Sequence, residues 1–399
     1  MTRKGVWNLQ QVRDKYLQEL WTNDISFFSW GDNDKGVLGH NQGTPGTDYS
    51  SPTQIPGADE SWEDISNGNG ADSADYFKLL TKTDGTLWAW GDNGNGGLGQ
   101  NSRTNYSSPV QVGSETTWGS PIAMSTGQYS SYVIKSDGTL WVWGNGNNGQ
   151  LGDNSIVKKS SPVQVPGTNW SDIVDNGNNC IATKTDGTLW TWGKNSYGEL
   201  GHNNTTRRSS PTQVPGTNWN KIDCNYYLTA ATKTDGTFWI WGDNYDGELG
   251  QNNRTTYSSP RQVPGTTWDR PLCGRNWSSG IKTDGTLWTW GRNETGVLGH
   301  NENTPGVDTG MYSSPVQVGT ETTWDSDYKK AAVAAGAFAA IKTDGTFWTW
   351  GTNSNGQLGH NDRNKRSSPT QVPGTKWREV YSGYDYFFGK QTGLSPSQL

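Results

Sequence analysis

The dipeptide Trp-Gly recurs at Trp30, Trp90, Trp143, Trp192, Trp241, Trp290 and Trp350, at spacings of 60, 53, 49, 49, 49 and 60 residues. A unit of about 49 residues is thus repeated seven times, with insertions in some copies, and such a period restricts the chain to a repeat architecture. One uninterrupted copy, residues 168–216, reads TNWSDIVDNGNNCIATKTDGTLWTWGKNSYGELGHNNTTRRSSPTQVPG. It predicts four short strands. SDIVD and CIATK are the first two. Asp186-Gly187 between two β-rich runs is a strong hairpin signal. LWTWG alternates bulky and small residues, as a half-buried strand does. A Gly- and Asn-rich loop then leads to SPTQV, whose Pro211 suits a strand's first residue or an edge. Four strands per unit is the pattern of a propeller blade, and the fold class expected is an all-β, closed seven-bladed β-propeller. The alternative, a solenoid, would leave open ends that need caps.

The chain ends favour closure. The last copy starts at Trp377, runs REVYSGYDYFFGKQTG, and stops where other copies continue into LWTWG. The first copy opens with SFFSWG, which is that missing strand. The two ends are therefore expected to build one split blade. The expected division is a helical segment at 1–21, the propeller at 22–393 and a tail at 394–399.

Composition fits this reading. Apolar residues make up 30% of the chain, yet it holds 23 Trp. Besides the seven before Gly, Trp88, Trp141, Trp190, Trp239, Trp288 and Trp348 lie two residues earlier, with Phe28 in the seventh copy. Trp62, Trp118, Trp170, Trp219, Trp268, Trp324 and Trp377 open the first strands. Residues that recur once per blade read as packing, and large rings supply the area that a small apolar fraction lacks. The net charge of −6 gives no general attraction to nucleic acid or anionic membrane. No apolar run spans a bilayer, and the N-terminus lacks the apolar stretch of a secretory signal. Three cysteines cannot form a paired disulfide framework.

LWTWGKNSYGELG, LWVWGNGNNGQLG and FWTWGTNSNGQLG, with SSPTQVPG downstream, resemble the regulator-of-chromosome-condensation repeat family. That resemblance covers roughly residues 22–393 and implies a seven-bladed propeller that binds proteins through one face of the ring. Many members carry Gly-x-x-His before the second strand. Here the corresponding stretches read NGNNCIATK, NYYLTAATK and RNWSSGIK. The Asp-Gly-Thr-Leu-Trp form and Asn-rich loops are similar to propellers of bacteria and marine tailed bacteriophages.

Candidate sites follow from departures within the repeat. His40, His202, His300 and His360 share one slot, which separates them by the blade spacing; a loop-bonding role is expected and no metal. The Asn after each, as in Asn203, is read as shaping its loop. Cys180, Cys224 and Cys273 are expected as free buried thiols. The hairpin aspartates, such as Asp186, are read as turn formers, and no catalytic constellation or cofactor motif is found. The residue before Ser-Ser-Pro is Tyr49, Tyr106, Lys159, Arg208, Tyr257, Tyr312 or Arg366, and these are the candidate binding residues. Either they pack over neighbouring Trp, or they contact a polar partner. The copies at Asn41 and Asn301 carry longer loops containing Thr-Pro-Gly, and segments after Trp62, Trp118 and Trp324 are also extended. Loops on a rigid scaffold are where function concentrates.

A short α-helix is expected in the N-terminal segment, capped at Asn8 and with Leu9, Val12, Tyr16 and Leu20 on one stripe. It is read as docking on the propeller itself or as an anchor to other virion proteins. The function expected is non-enzymatic binding by a tailed-phage virion protein, tail-associated or decorating the particle, with loops contacting a host-surface glycan or protein. A soluble protein-binding regulator or inhibitor, with a bacterial-cytoplasm location, is the alternative. A glycan-active enzyme would need paired acids in the axial opening.

Overall fold

A computed structural model describes residues 25–33, 35–42, 47–55, 62–68, 77–302 and 310–392. Seven antiparallel sheets of four strands stand round an axis. Blade 1 is composite: Trp377–Ser382, Tyr386–Thr392, Ile25–Gly31 and Tyr49–Gln54, from the axis outward. Ile25 to Gly31 pair residue for residue with Thr392 back to Tyr386, which closes the ring. Blades 2 to 7 start at Trp62, Ala123, Trp170, Trp219, Trp268 and Ala331 and end with strands finishing at Gln111, Gln164, Val214, Gln262, Gln317 and Val372. A short strand, Asn67–Gly68, adds in parallel to the first strand of blade 3.

Alternating strand directions give the ring two unlike faces. Hairpin turns between second and third strands, such as Asp186-Gly187, share the turn face with the links between blades. Loops joining first to second and third to fourth strands share the loop face.

The Trp-Gly pair is explained by contacts that every blade repeats. The seven tryptophans before Gly are fully buried. Each indole N–H donates to a main-chain carbonyl in the long loop of the preceding blade: Trp30 to Gln357, Trp90 to Val37, Trp143 to Gly97, Trp192 to Gln150, Trp241 to Glu199, Trp290 to Glu248 and Trp350 to Val297, all at 2.7–2.9 Å. The glycine is demanded by backbone geometry. Gly242 has φ of 113°, and a Cβ there would lie 2.0 Å from the Tyr227 carbonyl oxygen.

A second repeated unit sits between the other two tryptophans of a blade. Lys184 Nζ lies 4.6 Å from the ring centres of both Trp170 and Trp190, and Lys82, Lys135, Lys233, Lys282 and Lys342 lie 3.8–4.9 Å from the matching pairs in their blades. The outer indole N–H donates to a turn hydroxyl, as Trp190 does to Thr188 at 2.8 Å, and that hydroxyl donates to Asp186. The hairpin aspartates are thus turn formers, and the threonine bonds hold carboxyls such as Asp186 below the usual range.

The expected fold class is corrected on one count. The seven-bladed all-β propeller stands. The added N-terminal α-helix does not, because every regular element among the described residues is a strand and none is a helix. Its residues 1–21, including Leu9, Val12, Tyr16 and Leu20, lie outside the described residues, so the anchoring role has no observation to rest on.

Candidate functional site

The sequence slots separate into scaffold and surface. All seven loop asparagines take left-handed backbone geometry, with φ of 50–60°. Each N–H donates to the first serine carbonyl of the next blade's outer strand, as Asn203 does to Ser258 at 2.7 Å. These residues lace adjacent blades together. His40, His202, His300 and His360 each place Nε2 2.9–3.0 Å from a Ser or Thr hydroxyl of their own blade. Burial lowers all four, His360 to about 4 with help from Arg366, so the rings stay neutral at physiological pH. Among the described residues no group of His, Cys, Asp and Glu is placed to hold a metal ion. The three cysteines are free and buried, and burial pushes their thiols well up.

The residues before Ser-Ser-Pro are spread round the rim, one per blade, half-buried and not brought together. They cover the loops of their own blades. Tyr49 packs on His40 and Tyr312 on His300, with ring centres 4.8 and 5.3 Å apart. Lys159 pairs with Asp153 at 3.4 Å, and Arg366 grips Asp362 through both terminal nitrogens. Arg208 lowers the neighbouring His202, and Tyr257 lies under Arg261. Tyr106 packs on the core holding Trp118 and Trp143. Both Thr-Pro-Gly insertions fall on residues outside the described ones.

Two surfaces remain. On the loop face, Ile156 and Val157 of blade 3, Tyr197 of blade 4 and Tyr245 of blade 5 are 50, 59, 37 and 65% exposed. They are four of the five exposed large apolar side chains among the described residues, and all lie in the long loops of three consecutive blades. Tyr197 meets Tyr227 at 4.2 Å, and Tyr227 meets Tyr226 at 3.9 Å. Lys194 lies 5.1 Å from the Tyr227 ring and Arg254 5.0 Å from that of Tyr245. Sequence reading missed this patch because it searched slots that recur, and these loop positions vary from blade to blade.

The turn-face mouth of the axis is the other. Trp324 keeps its slot through a bridge to Lys342, but the blade 7 strand begins at Ala331. Residues 325–330 arch across the axis instead. Lys329 reaches Asp64 of blade 2 at 2.9 Å, and its carbonyl accepts from Val380 of blade 1. Ser326 bonds Asp269 of blade 6 and receives Lys221 of blade 5, while Tyr328 lies 4.1 Å over the Arg270 guanidinium. This is the extension after Trp324, and it ties four other blades together.

Acids do meet at this mouth. The Tyr381 hydroxyl lies 3.0 Å from Asp64 and also contacts Glu379. Both carboxylates are engaged by cations, Asp64 by Lys329 and Glu379 by Lys390 at 3.3 Å. Burial pulls the Lys329 ammonium down, but these two acids outweigh it and hold it above its ordinary value. A glycosidase pair needs one protonated acid and one open carboxylate facing a bond. Here the arrangement is an ion-pair network.

Fold and repeat place the chain among the seven-bladed propellers, and it belongs to the RCC1-like domain family, whose model matches residues 19–337. The Regulator of chromosome condensation (RCC1) repeat matches residues 344–388. The chain is 28% identical over 141 residues to human E3 ubiquitin-protein ligase HERC2, covering 35% of this chain and 3% of that protein. It is 32% identical over 91 residues to the mitochondrial RCC1 domain-containing protein RUG3 of Arabidopsis thaliana, covering 23% and 20%. The chain thus spans a minor part of these curated relatives. The crystal structure of Prp20p from Saccharomyces cerevisiae, described with its binding to Gsp1p and histones, superposes with a TM-score of 0.80 at 18% identity, covering 98% of this chain and 97% of that one. That likeness is one of fold. The expected kinship with bacterial and phage propellers finds no support among these eukaryotic relatives.

Proposed function

We propose that this protein is a non-enzymatic, protein-binding regulator that engages its partner through the loop face over blades 3 to 5. The carrying observation is the concentration of exposed Ile156, Val157, Tyr197 and Tyr245 on three neighbouring loops, flanked by Lys194 and Arg254. Exposed apolar side chains gathered on one rigid face mark contact surfaces, and Tyr beside cations is enriched at binding hot spots. Prp20p, of the same fold, is described as binding proteins, which agrees with this reading. The ligase activity in the name of HERC2 is not carried over, since the match touches 3% of that protein.

The virion reading is not carried forward. Its grounds are sequence style and the lack of a secretory signal, its N-terminal anchor lies outside the described residues, and the relatives favour the regulator.

Crosslinking in lysate of the source cells, compared between the wild type and a Val157→Ser, Tyr197→Ser, Tyr245→Ser variant, tests the proposal. Partners captured by the wild type should be lost in the variant and kept by a rim variant such as Tyr106→Ser. An unchanged partner set with the folded triple variant would refute the assignment of this face.

A further inference from the structure

We infer that the turn-face mouth of the axis is a binding site for an alkylammonium group, with Asp172 as the receiving carboxylate. This site is on the face opposite the proposed protein contact and does not depend on that reading.

The mouth opens into a cavity of about 560 Å³. Its walls include Pro121, Ile122, Met124 and Tyr328, and among its polar groups Asp172 and Asn220 stand beside Asp64, Lys221 and Lys329. Ile122 is the fifth exposed large apolar side chain, at 44%. Asp172 accepts a hydrogen bond at Oδ1 from the N–H of its own neighbour Ile173, at 2.9 Å. Among the described residues no cation lies within ion-pair distance of it. The local cations are committed elsewhere: Lys329 to Asp64, Lys221 to Asp269 at 2.8 Å, and Lys390 to Glu379. Arg270 acts on Asp172 through space but is buried beneath the Tyr328 ring.

A half-buried carboxylate with no counter-ion in contact is partly desolvated, which makes the recess receptive to a cation. An aliphatic chain ending in an ammonium satisfies both kinds of wall. Its methylenes would cover Ile122 and Tyr328, while its head reaches the free Oδ2 of Asp172. One free oxygen suits a compact ammonium better than the planar fork of a guanidinium, which seeks two. Lysine side chains of a protein and free diamines share this chemistry.

Titration of the full chain with Nα-acetyl-lysine amide and, separately, with 1,5-diaminopentane tests the site by methyl NMR at Ile122 and Met124. At least one probe should shift both methyl signals, and the stronger probe identifies the source. Asp172→Asn should weaken that binding by about tenfold or more, as loss of a charge-assisted hydrogen bond requires. Asn220→Lys, at an exposed position that tolerates the change, should abolish it by delivering a cation from within. Shifts absent with both probes, or binding unaltered in Asn220→Lys, would overturn the inference.

Discussion

The indole N–H of Trp30 donates to the main-chain carbonyl of Gln357 at 2.9 Å, across 327 residues of sequence. This bond joins blade 7 to the split blade, and six counterparts do the same round the ring. Blade-to-blade cohesion therefore depends on tryptophan as a donor as well as on its bulk.

The acceptors differ in how far they rely on that donor. The Gln150 carbonyl also receives the Tyr132 hydroxyl at 2.9 Å, whereas the Glu248 carbonyl is bonded by Trp290. Trp290→Phe should therefore cost more than Trp192→Phe, by about 1 kcal/mol, beyond the volume loss they share. Urea denaturation of both variants checks the order.

Lys184 sits between two indole faces. Lys184→Met keeps the stem and removes the charge, so it should destabilise by about 1 kcal/mol. Thermal unfolding at low and high salt measures the loss, which should persist at high salt because the charge lies against rings.

Glu248 is buried, and desolvation raises its carboxyl to about 7. A raised acid binds its proton more tightly folded than unfolded, so stability falls as pH climbs from about 4.5 to 7. Gln150 and Gln357 fill the same slot in other blades and accept a loop N–H with an amide oxygen. Glu248→Gln should stabilise the fold by about 1–3 kcal/mol at pH 8 and by almost nothing at pH 4.5. Chemical denaturation at the two pH values reads the difference.

The arch at 325–330 is held to blades 1 and 2 by Lys329. Lys329→Met should leave the ring folded but speed hydrogen exchange at the Val380 amide, bonded to the Lys329 carbonyl, by about tenfold. Exchange at Thr229, in a second strand away from the arch, should not change.

What could be read from the sequence was whatever the repeat enforces. The Trp-Gly slot, the Asp-Gly turns and the left-handed asparagines recur because each blade poses the same steric problem. SFFSWG and YDYFFGKQTG were recognisable as halves of one blade for that reason. The arch was visible as extra length after Trp324, but its partners Asp64, Lys221, Asp269 and Val380 come from four other blades, and their convergence is a property of the closed ring. Tyr245 and Tyr197 leave no mark in the repeat, because exposure is not encoded in a period. Conversely, the Tyr, Lys and Arg residues before Ser-Ser-Pro drew attention by recurring, and the ring disperses them for the same reason.

The composite blade also governs the order of events during synthesis. Strand Ile25–Gly31 is made before the six complete blades, and its neighbour Tyr386–Thr392 is made after them. Until then six complete sheets form an arc whose two outer flanks are uncovered, and no closed ring holds Trp30 against Gln357. Such non-local pairing is slow, so nascent chains stalled before residue 386 should be the species most prone to aggregate and most in need of a chaperone.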